Sequence, residues 1–400
     1  MRIVTFTSLF PNAQLRTLGV FVSQRMGHFA HRAGNDVIVV APVPYFPSWL
    51  PLERWRAVSA VPREELIDGL TVYHPRYLLI PKIAMPFHGV LMFLGSYRLL
   101  RRLRREIQID LLDAHYVYPD GFAGVLLGKF ISVPVVVSAR GTDINLFPSF
   151  SVIRPMIRWT LRQAGGLIAV SSALKNKMVT LGAPPDKVAV IGNGVNIERF
   201  NPVDRCEARR RLGIPEQARV IVSVANLIPE KGFQLLIPAL VEVAQDYPDV
   251  CLFIVGKGPL RGELDVLAQK CGIEKHVVLV GAQLNEELKF WFSAADISCL
   301  ASSSEGWPNV VLESLACGTP VVATPVGGVP EILISPELGL MVQRDVRSIA
   351  AGIRTALGKS WDRQTLVQYA RGRTWDRVAA ELEDYFARRV LPKAGASHTQ

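Results

Sequence analysis

Cysteine is scarce in this chain of 400 residues, and the five that occur stand far apart. Cys206, Cys251, Cys271, Cys299 and Cys317 make no CxxC pair and all lie in the second half. An odd number without ligand spacing argues against a zinc site and for a reducing compartment. Long apolar runs are missing too. Hydrophobic residues make up 49% of the chain, yet no run reaches the ~18 residues that span a bilayer. The opening MRIVTFTSLFPN reads as a strand and loop, without signal-peptide layout. No low-complexity tract or short repeat occurs. The expectation is a cytoplasmic protein, at most peripheral on the inner face of the membrane.

Acidic residues are short in one half only. Residues 1–200 hold 23 Lys and Arg against 12 Asp and Glu, whereas residues 201–400 hold 22 against 23. A cationic half beside a neutral one implies different partners for the two. The net charge of +10 alone would also suit a nucleic-acid binder, but no motif of that kind appears.

A length of 400 residues exceeds one ordinary core and predicts two domains. RIVTF, a helix near 20–33 and DVIVVAP form a βαβ unit, which starts a parallel sheet with helices on its faces. Further strands are expected at LTVYHP, DLLDAH, VPVVVSA, GGLIAVS and KVAVIGN. The turn-rich NGVNIERFNP at 193–202 marks the boundary, giving domains 1–200 and 201–374. The second half repeats the scheme with RVIVSVA, VCLFIVG, VVLVG, DISCL and PVVAT, alternating with helices from about 232 and about 285. The fold class is α/β, as two doubly wound Rossmann-like domains facing each other across a cleft.

The unusual residues gather where those strands end. Asn226 and Lys231 follow one strand, Gly281 closes another, and SSSEGWPNVVLES delivers Glu305 and Glu313 after a third. Pro308 suits the first turn of a helix that continues through Val310, Val311, Leu312 and Leu315 toward Gly318. Glu313 is then a charge in an apolar helix, and a buried carboxylate needs partners. Glycines at helix starts let backbone N–H groups approach an anion, and a lysine suits a phosphate. Carboxylates accept from sugar hydroxyls. The combination predicts a nucleotide sugar, with Glu313 on the ribose and Glu305 on the transferred sugar.

EGWPNVVLE followed by SLACGTPVVATPVGGVPE resembles the Glu-x7-Glu signature of the family-4 retaining glycosyltransferases of the GT-B fold, of the bacterial polysaccharide-assembly type. VANLIPEKGF, IVGKGPL, GAQLNEEL and NGVNIERF resemble that family's other blocks, and LLDAHYVYPDG and SARGTDI its acceptor-side blocks. The resemblance implies a hexosyltransferase that retains configuration and needs no metal or other cofactor, in keeping with the lack of an Asp-x-Asp pair. It implies catalytic roles for His115 and Glu305. Donor contacts would come from Gly19, Lys231, Gly281, Trp307, Asn309, Val310 and Glu313. A last helix near 375–390 would complete the first, acceptor-side domain. Where the family often places an arginine, five residues before Lys231, this chain has Asn226; Arg16 and Arg140 are candidate substitutes. Arg140 itself stands where many relatives have histidine.

Ordinary readings compete for several of these residues. His115 fits a satisfied core histidine, and Asp143 a helix N-cap as well as a substrate contact; Asp120 is balanced in the same way. The stretch SYRLLRRLRREI carries Arg98, Arg101, Arg102, Arg104 and Arg105 and reads either as a solvated helix or as a contact to an anionic membrane surface. Just upstream, IAMPFHGVLMFLGSY is unusually apolar. The acceptor is then a saccharide, carried on a lipid if that surface is real. A non-catalytic nucleotide-sugar binder and a sugar-nucleotide epimerase are the competing functions.

Overall fold

The computed structural model describes residues 1–45, 60–79 and 85–391; residues 83 and 84 of the apolar stretch lie outside them. Two compact units result. One runs from Met1 to Asn193 and takes up the segment from Trp375 onward, and the other is Gly194–Thr374. The division falls seven residues before the end of the expected domain 1–200, inside the turn-rich stretch.

The first unit is built on strands β1 (Arg2–Phe6), β2 (Asp36–Val40), β4 (Glu64–Ile67), β5 (Leu70–Tyr73), β7 (Leu111–His115), β8 (Val135–Ala139), β9 (Gly166–Ala169) and β10 (Val188–Val190). Their order is β10-β9-β8-β7-β1-β2-β5-β4. All pairs are parallel except β4 with β5. A separate parallel pair joins β3 (Val43–Tyr45) to β6 (Arg76–Leu78). Central strands are covered on both faces, so VVVSA and LLDAH are buried throughout. That burial is why Asp113 and His115 within β7 are conspicuous.

One face of this sheet carries the helix Val20–His31 and the helix Trp375–Tyr385. Phe29 meets Phe386 edge-on at 5.8 Å. Arg32 pairs with Glu383 at 2.7 Å, and the Tyr385 hydroxyl accepts from the Leu167 amide at 2.9 Å. Trp375, Val378 and Leu382 enter the core. Each large apolar side chain so buried stabilises the fold by about 1.5–3 kcal/mol.

The second unit holds β11 (Arg219–Val224), β12 (Val250–Val255), β13 (Val277–Gly281), β14 (Ile297–Leu300), β15 (Val321–Ala323) and β16 (Gly339–Met341). The order is β13-β12-β11-β14-β15-β16, all parallel. The chain starts in the middle, winds outward one way, then reverses between β11 and β14. Helices Phe233–Asp246 and Asn309–Ala316 follow those two strands. β3, β4, β6 and β16 are absent from the sequence reading. They are three or four residues long and β4, EELI, is half charged, so none carries a readable apolar run.

Candidate active site

The reversal between β11 and β14 leaves a crevice at the carboxyl edge of the second sheet, the place where doubly wound sheets take ligands. Lys231 closes the short turn Pro229–Lys231 after β11. Gly232 follows with φ 73°, and a Cβ there would stand 2.1 Å from the Ala301 carbonyl. Glycine therefore lets the loop after β11 lie against the loop after β14. Across that contact the Ser303 amide donates to the Glu230 carbonyl at 2.7 Å. Lys231 Nζ then reaches Glu305 Oε1 at 2.6 Å, and Ser302 Oγ donates to the same oxygen at 2.7 Å.

The Glu305 loop is supported from behind. Gly327, at φ 55°, would carry its Cβ only 2.3 Å from the Glu305 carbonyl. The Gly328 amide donates to Gly306 O at 3.0 Å. The Trp307 ring packs on Gly328, where a Cβ would sit 2.6 Å from Cε3. Pro308 occupies the N-cap rather than the first turn, and Asn309 and Val310 open the helix. Its first amides lack intrahelical acceptors and suit an anion. One turn on, half-buried Glu313 loses hydration, which pushes its carboxyl up to about 7; Arg199 pulls the other way. Gly281 ends β13 with φ 88°, and Asn226 stands exposed after β11.

These groups make a coherent donor set. Lysine and helix amides can hold a diphosphate, and two carboxylates can accept from hydroxyls. Among the described residues, no hydrogen bond or ion pair joins Gly281 or Asn226 to Lys231 or to Glu305's carboxylate. Ser302 and Arg199 were missed by the sequence reading. Ser302 lies three residues before Glu305, a spacing that could have pointed to it; Arg199 is brought near Glu313 only by the fold.

The first unit holds a polar cluster at its own reversal, between β1 and β7. His115 is fully buried. Its Nε2 lies 2.9 Å from Asp113 Oδ2, and Arg140 donates to Nδ1. A guanidinium can only donate, so Nδ1 carries the lone pair and Nε2 the proton. Burial pushes the imidazole down to about 4, Asp113 opposing and Arg140 adding to the fall. The ring is thus neutral near pH 7 and both nitrogens are engaged. In this geometry His115 has no ring nitrogen open to a substrate.

Arg140 also donates to Asn193 Oδ1 at 3.1 Å and lies 5.4 Å from the Phe21 ring centre. Its charge is spent inside the unit; Arg16 is exposed in the loop after β1. Asp143 accepts from the amides of Val117 and Gly141, each at 2.8 Å, and from Arg140 at 3.1 Å. It lies within the short helix Thr142–Asn145 rather than before it, and it ties the loop after β8 to the loop after β7. Asp120 accepts from the Ser8 amide, and burial raises its carboxyl to about 7. Gly19, at φ 62°, sits where a Cβ would meet Leu9 O at 2.2 Å, so it closes the loop after β1. Asp113 was overlooked although the two-residue spacing in DAH puts it on the same strand face as His115.

Comparison with known proteins agrees with the fold. The family described as Glycosyltransferase Family 4 matches residues 19–199, and Glycosyl transferases group 1 matches residues 204–373. The D-inositol 3-phosphate glycosyltransferase of Kribbella flavida is 30% identical over 353 residues, covering 80% of this chain and 82% of that one. The GDP-mannose-dependent alpha-(1-6)-phosphatidylinositol monomannoside mannosyltransferase of Mycolicibacterium smegmatis is 27% identical, over 80% of this chain and 83% of its own. Among solved structures, sucrose-phosphate synthase of Thermosynechococcus elongatus superposes with TM-score 0.75 at 19% identity, covering 97% of this chain and 98% of that one. HepE of Anabaena, solved with UDP, gives 0.73 at 18%, covering 97% and 100%. The chain belongs to the family-4 glycosyltransferases and has their GT-B fold of two Rossmann-like domains.

Proposed function

We propose that this glycosyltransferase takes a sugar from a nucleoside-diphosphate donor and transfers it, with retention and without a metal, to a saccharide acceptor carried on a lipid, in the assembly of a cell-surface polysaccharide. The observation that carries the reading is the contact of Lys231 with Glu305 at the β11–β14 reversal, with the helix Asn309–Ala316 opening beside it. Lys231 and the amides at Asn309 and Val310 bind the diphosphate, Glu313 accepts from the ribose, and Glu305 holds the transferred sugar. The bond from the anomeric carbon to the phosphate oxygen breaks, and the acceptor oxygen takes its place on the same face. The acceptor proton leaves with the diphosphate. Preorganised donors at a leaving group are worth roughly 10²–10³ in rate each. HepE was solved with UDP and glucose, and the mycobacterial relative's name specifies a phosphatidylinositol mannoside; both support a nucleotide donor and a lipid-borne acceptor here.

A screen of UDP, GDP and ADP for thermal stabilisation tests the donor. A ligand at 100 times its Kd adds about 2.7 kcal/mol. Turnover of the matching nucleotide sugar follows. Absence of any stabilisation would remove the reading. Binding without turnover would favour a non-catalytic nucleotide-sugar binder, the one alternative that Asn226 speaks for.

A further inference from the structure

Three helices lie side by side on one face of the first unit's sheet: His88–Glu106, Phe122–Ile131 and Ile153–Gln163. Aromatic contacts lock them together. Phe130 meets Phe93 at 6.2 Å and Tyr97 at 5.9 Å, and Phe122 meets Trp159 at 5.1 Å. Together they carry nine arginines and lysines and a single acid, Glu106. That acid is already paired with Arg102 at 3.7 Å.

The charge is sorted along the first helix. Positions 87, 94, 98, 101 and 105 fall on one outward stripe at helical spacing. Its first part is apolar and open to solvent: Phe87 is 60% exposed and Leu94 53%. Beyond them Arg98, Arg101, Arg102 and Arg105 line a pocket of about 380 Å³ with Tyr97 and the Arg102-paired Glu106. Phe130, 46% exposed, extends the apolar patch onto the second helix. The helix leads into β7, so its apolar start lies toward the carboxyl edge of the sheet and its arginines toward the other. On the third helix Arg154, Arg158 and Arg162 repeat the cationic stripe, with exposed Phe150 and Val152 just before it.

A merely solvated helix needs charge on its outer stripe but no exposed Phe and Leu in register with it. A nucleic acid would match the arginines and leave the apolar end unused. An interface that is anionic outside and hydrocarbon within matches both parts, because arginine meets the headgroup phosphate while phenylalanine and leucine enter the acyl boundary. We propose that this three-helix face docks on an anionic phospholipid surface, with the arginine pocket on headgroup phosphates and Phe87, Leu94 and Phe130 inserted.

Co-sedimentation of the full chain with phosphatidylcholine vesicles, with and without phosphatidylglycerol, is the test. Binding is expected only with the anionic lipid, eroded by salt over a Debye length of ~8 Å. Replacing Arg98, Arg101, Arg102 and Arg105 with glutamine should weaken it on the order of 1,000-fold at low salt, from about 1 kcal/mol for each basic residue near the surface. Circular dichroism and an unchanged melting temperature exclude misfolding, since all four side chains are exposed. Phe87→Ser with Leu94→Ser should also weaken binding, by about tenfold or more, while leaving the affinity for soluble heparin unchanged. Equal sedimentation of wild type and the glutamine variant would overturn the proposal. So would a serine variant that binds vesicles as well as wild type, which would mark a general polyanion site. Neither result bears on the nucleotide screen, whose residues belong to the other unit.

Discussion

Lys231 Nζ sits 2.6 Å from Glu305 Oε1, so the lysine proposed to hold the diphosphate is already held by the carboxylate proposed to hold the sugar. An ion pair at ~4 Å with an effective dielectric of 20 has a Coulomb term of about 4 kcal/mol, much of it offset by desolvation. Diphosphate must compete with Glu305 for this ammonium group. Glu305→Gln is therefore expected to abolish most turnover and yet tighten nucleoside-diphosphate binding about tenfold, by freeing the lysine. Lys231→Ala should weaken the diphosphate more than the bare nucleoside. Calorimetric titration with both ligands checks this. A Glu305→Gln protein that binds diphosphate no better than wild type would show that the two do not compete.

The pH dependence of nucleotide binding follows from Glu313. Its carboxyl titrates near 7 in the fold against 4.5 in the open chain, so between those values it holds a proton that the unfolded chain does not. Folding stability from this group is accordingly greatest below about 4.5 and declines as pH rises through 7. A ribose hydroxyl donates best to the ionised form, so nucleoside affinity should rise through pH 7. Glu313→Gln should flatten that rise. An unaltered pH profile in the variant would remove the ribose assignment.

The geometry of the second unit's candidate site was readable because it is local. EGWPNVVLE places Glu305, the helix start and Glu313 within nine residues, and periodicity alone tells loop from helix. Lys231 and Gly232 sit at a strand end that any βα reading finds. The first unit resisted because its contacts are long-range. Arg140 reaches His115 across 25 positions and Asn193 across 53, and nothing in ARGTD says that its guanidinium turns inward. The sequence suggests a phosphate clamp there because arginine is the usual clamp; in the fold the guanidinium is buried against His115 and Asn193. Edge strands such as EELI were hidden for a further reason, since pairing on one side only demands no apolar run.

Acid should loosen the first unit through His115. Its imidazole is held down to about 4, against 6.5 in the open chain. Between those values the unfolded chain binds a proton that the folded one refuses, so stability rises with pH across the window and is lost below it. The loss approaches about 3 kcal/mol at full development, because each tenfold change in proton affinity is worth about 1.4 kcal/mol. Arg140→Met should destabilise the unit by roughly 1–3 kcal/mol, because it strips donors from His115 Nδ1 and Asn193 Oδ1 in the interior. Urea melts at pH 4.5 and 7.5 measure both effects. Identical midpoints for wild type at the two pH values would mean that His115 is not sealed as described.

Gly327 tests whether the backbone behind Glu305 sets its position. The residue has φ 55°, and a Cβ would stand 2.3 Å from the Glu305 carbonyl. Alanine must therefore suffer the left-handed strain of about 1–2 kcal/mol and also push the Glu305 loop away. Gly213 provides the matched control, with φ 68° and nothing within 4 Å of its Cβ. Gly213→Ala should lower the melting temperature by a few degrees and leave turnover intact. Gly327→Ala should show a similar thermal loss but a fall in kcat of about tenfold or more, as expected when a catalytic group moves by an ångström. Nucleoside binding through Glu313 should survive, since that side chain hangs from the helix rather than the loop. If the two alanine variants turn over at the same rate, the glycine pair after β15 does not position Glu305, and contacts such as those of Lys231 and Ser302 hold the loop instead.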